Sequence, residues 1–416
     1  MLGLGVSLSN AGAVESASLV TNTYSLDFDG TNDYVALPAS NTLITGTNVT
    51  YACWAKITDT DRTYLIATQK GATSTNLSLS VNANETTESA GWVSALIWNG
   101  SAHGFVKYDG NIDDSAWHHY AFTTRSSAQV LYLDGEAVAT GTLTFSNAAS
   151  TNIGSIGSLN GANYFPAGNI DEVGIWSSVL TATEIKAIYD NLSLDLNSNS
   201  VGYASSSNLV GWWRMGDGTL DAFASYDDFG LVTDQTNATL GSNLFDRDFA
   251  NATADGTYSG TTSPSQGGTH VGETYGWVSY SNATVTNEGG NYLFESSTAN
   301  NAVTAWLRDS YDLSAEINDG AIYEFSLDIK VNTGSVNIAN RNSATAYVNT
   351  ISDTTYTTYK YYLKSNTAVG TNYMQIADID SGQEVRAKNF SYKKVQANPG
   401  LMINMAAADI ESDVPS

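Results

Sequence analysis

Apolar and polar residues alternate with a period of two along much of the chain, which predicts β-strands. In the longest run, residues 321–331, every second residue from Ala321 to Val331 is apolar and the residues between them are mostly polar. Successive side chains of a strand point to opposite faces, so this run predicts a sheet with one buried and one wet face. Further strands are expected at 356–363, 373–379 and 385–395.

A hairpin is predicted where Asp134-Gly135 separates two strand-like segments, 130–133 and 136–139. A two-residue link of this type favours a type I′ turn, because both central positions need a positive φ. The turn would pair Leu131 with Val138 across the two strands.

One short helix is predicted to begin at Thr181. Thr181 and Glu184 have the spacing of a capping box, and Ile185, Ile188 and Tyr189 follow on one helical face. The remaining chain carries strand and turn signals, so the expected fold class is all-β, with two antiparallel β-sandwich (jelly-roll) domains and this single helix.

Composition agrees with a globular chain of two or more domains. The 416 residues are 42% hydrophobic and only 14% charged, with 24 Tyr and 9 Trp. Ser, Thr, Asn and Gly supply most of the polar remainder, which favours short strands joined by polar turns.

Charge excludes several kinds of partner. The net charge is −25, so the surface repels phosphate, and we expect no nucleic-acid partner and no membrane insertion. No segment has the ~20 apolar residues that a membrane span needs. Cys53 is the only cysteine, which leaves no intrachain disulfide.

Two motifs in the first half resemble a known family. The segments Trp117–Thr123 and Leu131–Glu136, together with 168–176, resemble signatures of laminin G-like (concanavalin A-like) β-sandwich domains. The resemblance implies a glycan-binding type of fold with a short helix after the 168–176 strand. The run 209–218 is similar to a strand that often opens such domains, so we expect it to return to the same sandwich.

The second half resembles the jelly-roll carbohydrate-binding modules, through Leu244-Phe245, Phe249, Gly276-Trp277 and the Tyr323-x-Phe325 pair. The predicted organisation is an N-terminal arm at 1–22, a laminin G-like domain at 23–243, a carbohydrate-binding-module-like jelly roll at 244–395, and a polar-acidic tail at 396–416. The arm is either a frayed terminus or a docking segment that orders on a partner.

Glycan contact usually needs exposed aromatic rings, and six of them lie in or beside loop-like segments rich in Gly and Asn. We expect one or two of these to bind, because most Trp residues of a sandwich belong to its core. The candidates are Trp92, Trp98, Tyr108, Tyr164, Trp277 and Tyr280.

Catalysis is not favoured by the acidic residues. The best local pair, Asp171-Glu172, lies on neighbouring strand positions that point to opposite faces, whereas a glycosidase needs two carboxylates flanking one bond. His118 and His119 diverge for the same reason, and a hydrogen-bonded structural role is expected for them rather than metal ligation. We therefore predict no enzyme, with a polysaccharide hydrolase or lyase as the alternative.

A structural calcium ion is a possible cofactor. The turn 27–33 is rich in carboxylate and amide oxygens, which suit Ca²⁺. In laminin G-like domains such a turn is tied by calcium to the late strand, and the resemblance implies Asp29, Asp33 and Asp171 as ligands. The alternative is that the first two are simply turn formers.

These features are similar to those of structural proteins of marine tailed phages. The residues Met1–Leu8 contain no base, so we expect no secretion signal, and a virion protein assembled in the host cytoplasm and released by lysis needs none. The predicted function is a virion structural protein: a fibre, an appendage or a capsid decoration. Its expected partners are other virion proteins, contacted through the N-terminal arm, and host surface polysaccharide. A homo-oligomer is expected. The alternative is a bacterial surface or exported glycan-binding protein.

Overall fold

The computed structural model describes residues 19–72, 74–84, 87–112, 114–223, 229–244, 257–259, 278–280, 283–288, 291–296, 304–308, 319–342, 346–365 and 372–416. These residues form two compact units. The first contains the described residues within Met1–Thr219, Asp234–Thr236 and Ala408–Ser416, and the second those within Leu220–Thr233 and Asn237–Ala407.

The first unit contains fourteen strands. They are β1 (Ser25–Asp29), β2 (Tyr34–Ala39), β3 (Val49–Ile57), β4 (Thr63–Gly71), β5 (Ser74–Asn84), β6 (Thr87–Trp98), β7 (His103–Asp109), β8 (His118–Arg125), β9 (Ala128–Leu133), β10 (Glu136–Gly141), β11 (Ile153–Ile156), β12 (Ala167–Trp176), β13 (Leu209–Trp213) and, near the C-terminus, β28 (Ile410–Glu411).

These strands make two antiparallel sheets. The first sheet has the order β10-β9-β8-β3-β12-β1-β28, with β13 also paired to β12, and the second has the order β2-β11-β4-β5-β6-β7. The Tyr51 hydroxyl of β3 is 2.8 Å from the Thr68 hydroxyl of β4, which marks the faces that the two sheets turn toward each other. Both side chains are buried, so the core of this sandwich lies between these faces.

Two helices are present among the described residues. The four-residue α1 (Ser40–Leu43) was not predicted, whereas α2 (Ala182–Asp190) begins as the capping box requires. Thr181 Oγ1 accepts from the Glu184 amide, and the Glu184 carboxylate accepts from the Thr181 amide. Ile185 and Ile188 bury the helix against the side of the first sheet that faces away from the second sheet, beside Trp176.

The predicted hairpin is present, with one change of register. Asp134 and Gly135 have φ values of 50° and 78°, as a type I′ turn requires. A β-bulge between Ala137 and Ala139 shifts the ladder, so Leu131 pairs with Ala139 and the predicted pairing with Val138 is wrong.

The expected return of the chain to the same sandwich is confirmed. Strand β13 pairs antiparallel with β12, with Trp213 opposite Val173 and Trp212 opposite Gly174. The Trp212 and Trp213 side chains are buried, which explains why this apolar run completes the first unit although it follows α2.

The second unit is also a β-sandwich. Its strands are β14 (Ala222–Phe223), β15 (Phe229–Val232), β16 (Thr257–Ser259), β17 (Val278–Tyr280), β18 (Ala283–Glu288), β19 (Asn291–Ser296), β20 (Thr304–Arg308), β21 (Ile322–Val331), β22 (Val336–Asn342), β23 (Ala346–Ile351), β24 (Thr357–Lys364), β25 (Asn372–Ala377), β26 (Glu384–Lys394) and β27 (Gly400–Ile403). The ladders are β16-β18-β19-β26-β21-β24, β17-β20-β25-β22-β23 and β14-β15-β27.

Its core follows from the alternation in β21. Tyr323, Phe325, Leu327, Ile329 and Val331 are buried together with apolar residues of β22 and β25 from the other sheet. The four strands predicted in this half are present within two residues of the expected bounds. The predicted all-β class with two sandwiches is thereby confirmed.

The division into units differs from the predicted domain limits in two places. The described residues within 220–233 and 237–243, predicted in the first domain, belong to the second unit, and the C-terminal segment is divided between the units. The segment 396–416, expected to be a tail, contains β27 in the second unit and β28 in the first, where Ile410 pairs with Leu26. Asp413 also accepts from Lys56 and from the Trp117 indole. Short strands of two to four residues give little periodicity, which is why the sequence pattern did not reveal them.

At the N-terminal end, only the last residues of the predicted arm are described. Leu19 forms a bridge with Leu194, and the Val20 amide donates to the Ser193 carbonyl. The rest of the arm, 1–18, lies outside the described residues. No described helix is both long enough and apolar enough to cross a membrane.

Candidate functional site

The second sheet of the first unit has a face turned away from the first sheet, which we call the outer face. Thr68, Leu77 and Ile97 form one row across the paired strands β4, β5 and β6. Because Thr68 contacts Tyr51 of the first sheet, this row lies on the inner face, which is turned toward the first sheet. Residues one position away in the same strands therefore point outward. The outer face of β4 to β7 is built from these residues.

Small hydroxyl side chains form the floor of the outer face. Ser80 pairs with Ser94 across β5 and β6, and their Oγ atoms are 2.9 Å apart. Ser78, two residues along β5, points the same way, and all three serines are at most 2% exposed. Alternation with Leu77, Leu79 and Val81 explains this arrangement, because the aliphatic residues fill the core and leave the serines outside it.

Two buried side-chain atoms of β4 and β5 have no hydrogen-bond partner within the described residues. They are Ser78 Oγ and Gln69 Nε2, both buried. A buried polar group without a hydrogen bond costs free energy, so these two atoms reduce the stability of the fold. All of these side chains are at most 2% exposed, so the rings at the border of the floor are the accessible part of the outer face.

Aromatic side chains border the floor. Trp92 and Trp98 lie on β6 at an even number of residues from Ser94, so their side chains point to the same face as Ser94. Both are half-buried. At about 3.3 Å per residue, their six-residue separation corresponds to roughly 20 Å along the strand. Each ring has a cation near its face: Lys107 Nζ is 5.9 Å from the Trp92 ring centre, and Lys70 Nζ is 3.6 Å from that of Trp98.

A loop from 157 to 166 carries a third aromatic ring to this face. The Asn160 amide group donates to the Ala72 carbonyl, and the Tyr64 amide donates to the Tyr164 carbonyl, so the loop is tied to β4 and to the turn after it. Tyr164 is 37% exposed, and its ring lies 4.5 Å from the Arg62 guanidinium carbon. Arg62 also contacts the Tyr64 ring, at 5.1 Å.

The six predicted glycan-contact residues thus separate into groups. Trp92, Trp98 and Tyr164 lie on the outer face. Tyr108 pairs with Val93, a core residue, and so faces the opposite side of β7. Of the two candidates in the second unit, Trp277 lies outside the described residues, and only the backbone of Tyr280, in β17, is described.

The sequence reasoning missed the serine floor and Arg62. The alternation Ser78-Leu79-Ser80-Val81 was a usable signal, since it marks a strand with one small polar face. Arg62 precedes β4 and has no local pattern, and only the fold brings it to Tyr164.

The three predicted calcium ligands are not brought together. Asp29 pairs with Ala167 in the β1–β12 ladder, whereas Leu26 pairs with Ile170, so Asp171 lies about 13 Å along the strands from Asp29. Among the described residues, which include all three, no group of three or more His, Cys, Asp or Glu side chains could hold a metal ion. These residues do not fit one shared ion, and calcium binding stays a prediction.

The two aspartates of the turn are used locally instead. Asp29 Oδ1 accepts from the Thr31 and Asn32 amides, and Asp33 Oδ2 accepts from the Asp29 amide at 3.0 Å. Burial raises the pKa of Asp33 to about 7. These contacts are those of turn-forming residues.

Asp171 and Glu172 lie in a buried charge cluster. A bulge in β12 between Asp171 and Gly174 breaks the regular alternation that the sequence argument assumed, and Glu172 has a φ of 48°. Burial, and then the neighbouring Glu172 charge, raises the pKa of Asp171. Asp171 accepts from Asn22, and Glu172 accepts from Arg214. Asp171 is completely inaccessible, so no substrate bond can lie beside it.

The two neighbouring histidines have different environments. His118 Nδ1 is 2.8 Å from Asp134, whose hydrogen bond raises the pKa of His118. His119 is buried against Trp54 and Tyr189, and burial lowers its pKa to about 4. The expected hydrogen-bonded role holds for His118, whereas the ring nitrogens of His119 have no partner within the described residues.

A protein-family comparison identifies the class of the first unit. Residues 29–186 match the model of the concanavalin A-like lectin/glucanases superfamily, of laminin G type. This part of the chain is therefore a laminin G-like, concanavalin A-like domain. No curated protein shows significant sequence similarity to the chain.

Parts of several solved structures are similar in fold. A putative carbohydrate-binding protein from Bacteroides ovatus is 18% identical, with a TM-score of 0.38, and the match covers 52% of this chain and 56% of that one. The CBM40 of the Ruminococcus gnavus IT-sialidase is 16% identical over 40% of this chain and 97% of its own, with a TM-score of 0.33.

Tailspike protein 2 of the Escherichia coli O157:H7 bacteriophage CAB120 is 14% identical, with a TM-score of 0.33. This match covers 48% of the present chain and 30% of the tailspike. At these TM-scores the similarities describe partial likeness of fold and say nothing about what this chain binds.

Proposed function

We propose that the first unit binds a glycan on its outer face, and that the chain is a structural protein of a phage virion. In this proposal it is a fibre, appendage or capsid-decoration protein that attaches the particle to host surface polysaccharide or stabilises it. The observation that carries the binding role is the set of three aromatic rings, Trp92, Trp98 and Tyr164, bordering a floor of buried hydroxyl groups.

The chemistry of this face suits a sugar chain. Sugar rings have apolar faces that stack on aromatic side chains such as Trp92, Trp98 and Tyr164, which are each partly exposed. The ~20 Å between Trp92 and Trp98 accommodates several sugar units. The membership of residues 29–186 in a lectin-type superfamily supports the same role.

Binding is tested by applying the full chain to an array of bacterial and algal glycans, with calcium and then with a chelator. We expect binding that Trp92→Ala abolishes. Tyr108→Ala is the matched control, because Tyr108 lies one strand away on the opposite face. Binding that survives Trp92→Ala and is lost in Tyr108→Ala contradicts the outer face as the site.

The chelator separates the role of calcium from that of the face. Loss of binding with chelator would support a bound calcium ion, and Asp29→Asn and Asp33→Asn variants would then show whether the turn 27–33 holds it. Unchanged binding with chelator leaves the face as a calcium-independent site.

In this proposal the chain binds the glycan and does not hydrolyse it. The Asp171-Glu172 pair is enclosed, and the Glu172 carboxylate accepts hydrogen bonds from Trp212 and Arg214 instead of facing a cleft. We therefore expect no release of reducing ends from any polysaccharide that binds. Release that persists in Trp92→Ala but stops on replacing an acidic residue would favour the hydrolase alternative.

The virion role rests on the resemblance of the sequence to marine phage proteins, and it is tested separately. The protein should be detected by immunoblotting in gradient-purified particles, and its absence from them excludes the role. Deletion of residues 1–18 should prevent incorporation while leaving the first unit folded, because Leu19 to Thr23 keep their contacts. Light scattering of the purified chain tests the expected homo-oligomer.

A further inference from the structure

Three basic side chains of the second unit share one patch of its six-stranded sheet, on the side that is turned away from the core. Lys330 of β21 and Arg386 of β26 are opposite each other in the ladder, and Lys388 lies two residues further along β26. Their strand neighbours Ile329 and Ala387 are buried in the core. The three basic side chains therefore point away from it.

One aromatic ring lies across this patch. Tyr356 immediately precedes β24, and its hydroxyl donates to the side-chain oxygen of Asn291 on β19, 2.8 Å away. In the sheet, β21 and β26 lie between these two strands. Lys330 Nζ is 4.8 Å from the centre of the Tyr356 ring, and Lys388 Nζ is 4.2 Å from it. The two ammonium groups are therefore at most about 9 Å apart, the sum of these distances.

The acidic residue beside this patch is turned away from it. Asp328 is opposite Lys388 in the ladder. Its carboxylate accepts instead from Thr358 Oγ1 at 2.7 Å and from the Asn389 amide group at 2.6 Å. Within the described part of the chain, neither Lys330 nor Lys388 makes an ion pair.

Arg386 differs from the two lysines, because its guanidinium pairs with Glu288 at 2.7 Å and contacts Glu384 at 3.8 Å. The lysines have only the Tyr356 ring, which holds a cation in place without neutralising it. Their two positive charges repel each other, and although the chain has 42 acidic residues, none of the described ones offsets this repulsion.

From this arrangement we infer that the second unit binds a doubly charged oxyanion, a phosphate group, between Lys330 and Lys388. The inference goes beyond the glycan site of the first unit and does not depend on it. An ammonium group attracts an anion as a point charge and has three donors that rotate to meet it. A phosphate group carries about two negative charges at neutral pH and so matches both lysines, whereas a carboxylate matches only one.

The overall charge of the chain does not prevent such binding. The net charge of −25 acts against a long polyanion, which meets the whole surface. Charges are screened beyond about 8 Å at physiological ionic strength, so a small oxyanion responds mainly to the cations beside it. The site is therefore expected to take a single phosphate group, either as the free ion or as a monoester on a larger molecule.

Equilibrium dialysis of the full chain with radiolabelled inorganic phosphate tests the inference. We expect saturable binding of one phosphate per chain. Lys330→Gln and Lys388→Gln should each weaken it by about tenfold, the typical effect of losing one charge-assisted hydrogen bond. Unlabelled phosphate, glucose 6-phosphate and acetate are then added as competitors, and acetate should be ineffective. Glucose 6-phosphate that competes better than phosphate identifies a monoester as the ligand, and weaker competition identifies the free ion.

Lys393→Gln is the matched control. It removes the same charge from the same strand, five residues from Lys388, which corresponds to roughly 17 Å. We expect this variant to bind phosphate as the wild type does, and unfolding temperatures measured without phosphate show that all three variants are folded. Equal losses in Lys393→Gln and Lys388→Gln would reveal general attraction and overturn the inference. So would competition by acetate equal to that by phosphate, or the absence of saturable binding, whatever the first unit binds.

Discussion

Arg214 donates from Nε to the Glu172 carboxylate at 2.9 Å, and both side chains are less than one-tenth exposed. Glu172 also accepts from the Trp212 indole at 2.5 Å, and Arg214 donates to the Thr21 carbonyl. One ion pair therefore connects β12, β13 and the N-terminal segment of the first unit. The pair lies at the bulge of β12, where Glu172 has a φ of 48°, a conformation that costs free energy for a residue other than glycine.

Removing only one member of this pair should be strongly destabilising. Arg214→Met leaves the Glu172 carboxylate buried without its cation, and we expect a loss of about 3–5 kcal/mol in the free energy of unfolding. Chemical denaturation followed by Trp fluorescence measures it. The double variant Arg214→Met/Glu172→Gln should recover part of the loss, because no charge is then stranded. A double variant as unstable as the sum of the two single changes would show that the two side chains are not energetically coupled, and would contradict this role of the ion pair.

His119 should make the stability of the first unit fall in mild acid. Its pKa is about 4 in the folded protein against 6.5 in an unfolded chain, because burial disfavours the charged ring. Above pH 6.5 both states are neutral and the stability is complete. Between pH 6.5 and 4 only the unfolded chain gains a proton, so stability is lost as pH falls through this window, by about 3 kcal/mol in total.

The variant His119→Phe isolates this effect, because the difference from wild type cancels the other titrating groups. We expect Phe to be accommodated between Trp54 and Tyr189, and the variant to gain stability relative to wild type as pH falls from 6.5 to 4. His118→Gln is the matched control, because its stability difference from wild type should change with pH in the opposite direction. Asp134 raises the pKa of His118, so that side chain stabilises the fold at low pH and its contribution is lost as pH rises through the raised pKa. A pH-independent difference between His119→Phe and wild type would show that His119 takes up its proton in the folded state.

The turn residue Gly135 is expected to resist substitution. Its φ is 78°, and a Cβ placed there would lie 2.9 Å from both Lys186 Cδ and Tyr189 Cδ1 of α2. Gly135→Ala should therefore cost about 1–2 kcal/mol from backbone strain and the displaced ring. Gly46→Ala is the control, because Gly46 has no atom within 4 Å of such a Cβ and no positive φ. Thermal unfolding of the two variants gives the comparison, and equal stability would argue against close packing of the hairpin on α2.

The sequence predicted the features that depend on local chemistry. The Asp134-Gly135 turn, the Thr181 capping box and the alternation of β21 each follow from a few neighbouring residues, and each is present. The bulges at Val138 and Glu172 were not predictable, because a one-residue slip in a ladder depends on packing against distant strands. Of the candidate site, the aromatic residues of β6 were found from composition. The outer face that unites them with Ser78 and Arg62 depends on strand pairing between residues far apart in sequence.

Ser78 and Ser80 give the sharpest test of whether the floor of the outer face serves binding rather than folding. Ser80 has a hydroxyl partner in Ser94, whereas Ser78 Oγ has none within the described part of the chain. Ser80→Ala should cost about 1 kcal/mol of stability, while Ser78→Ala should cost nothing or stabilise slightly, since it removes an unsatisfied buried group. For glycan binding we expect Ser78→Ala to leave the affinity unchanged, because the Ser78 side chain is buried beneath the accessible rings. Denaturation and affinity electrophoresis on the same two variants measure both quantities. If Ser78→Ala instead keeps its stability and loses affinity, the floor is reached by the glycan and takes part in recognition.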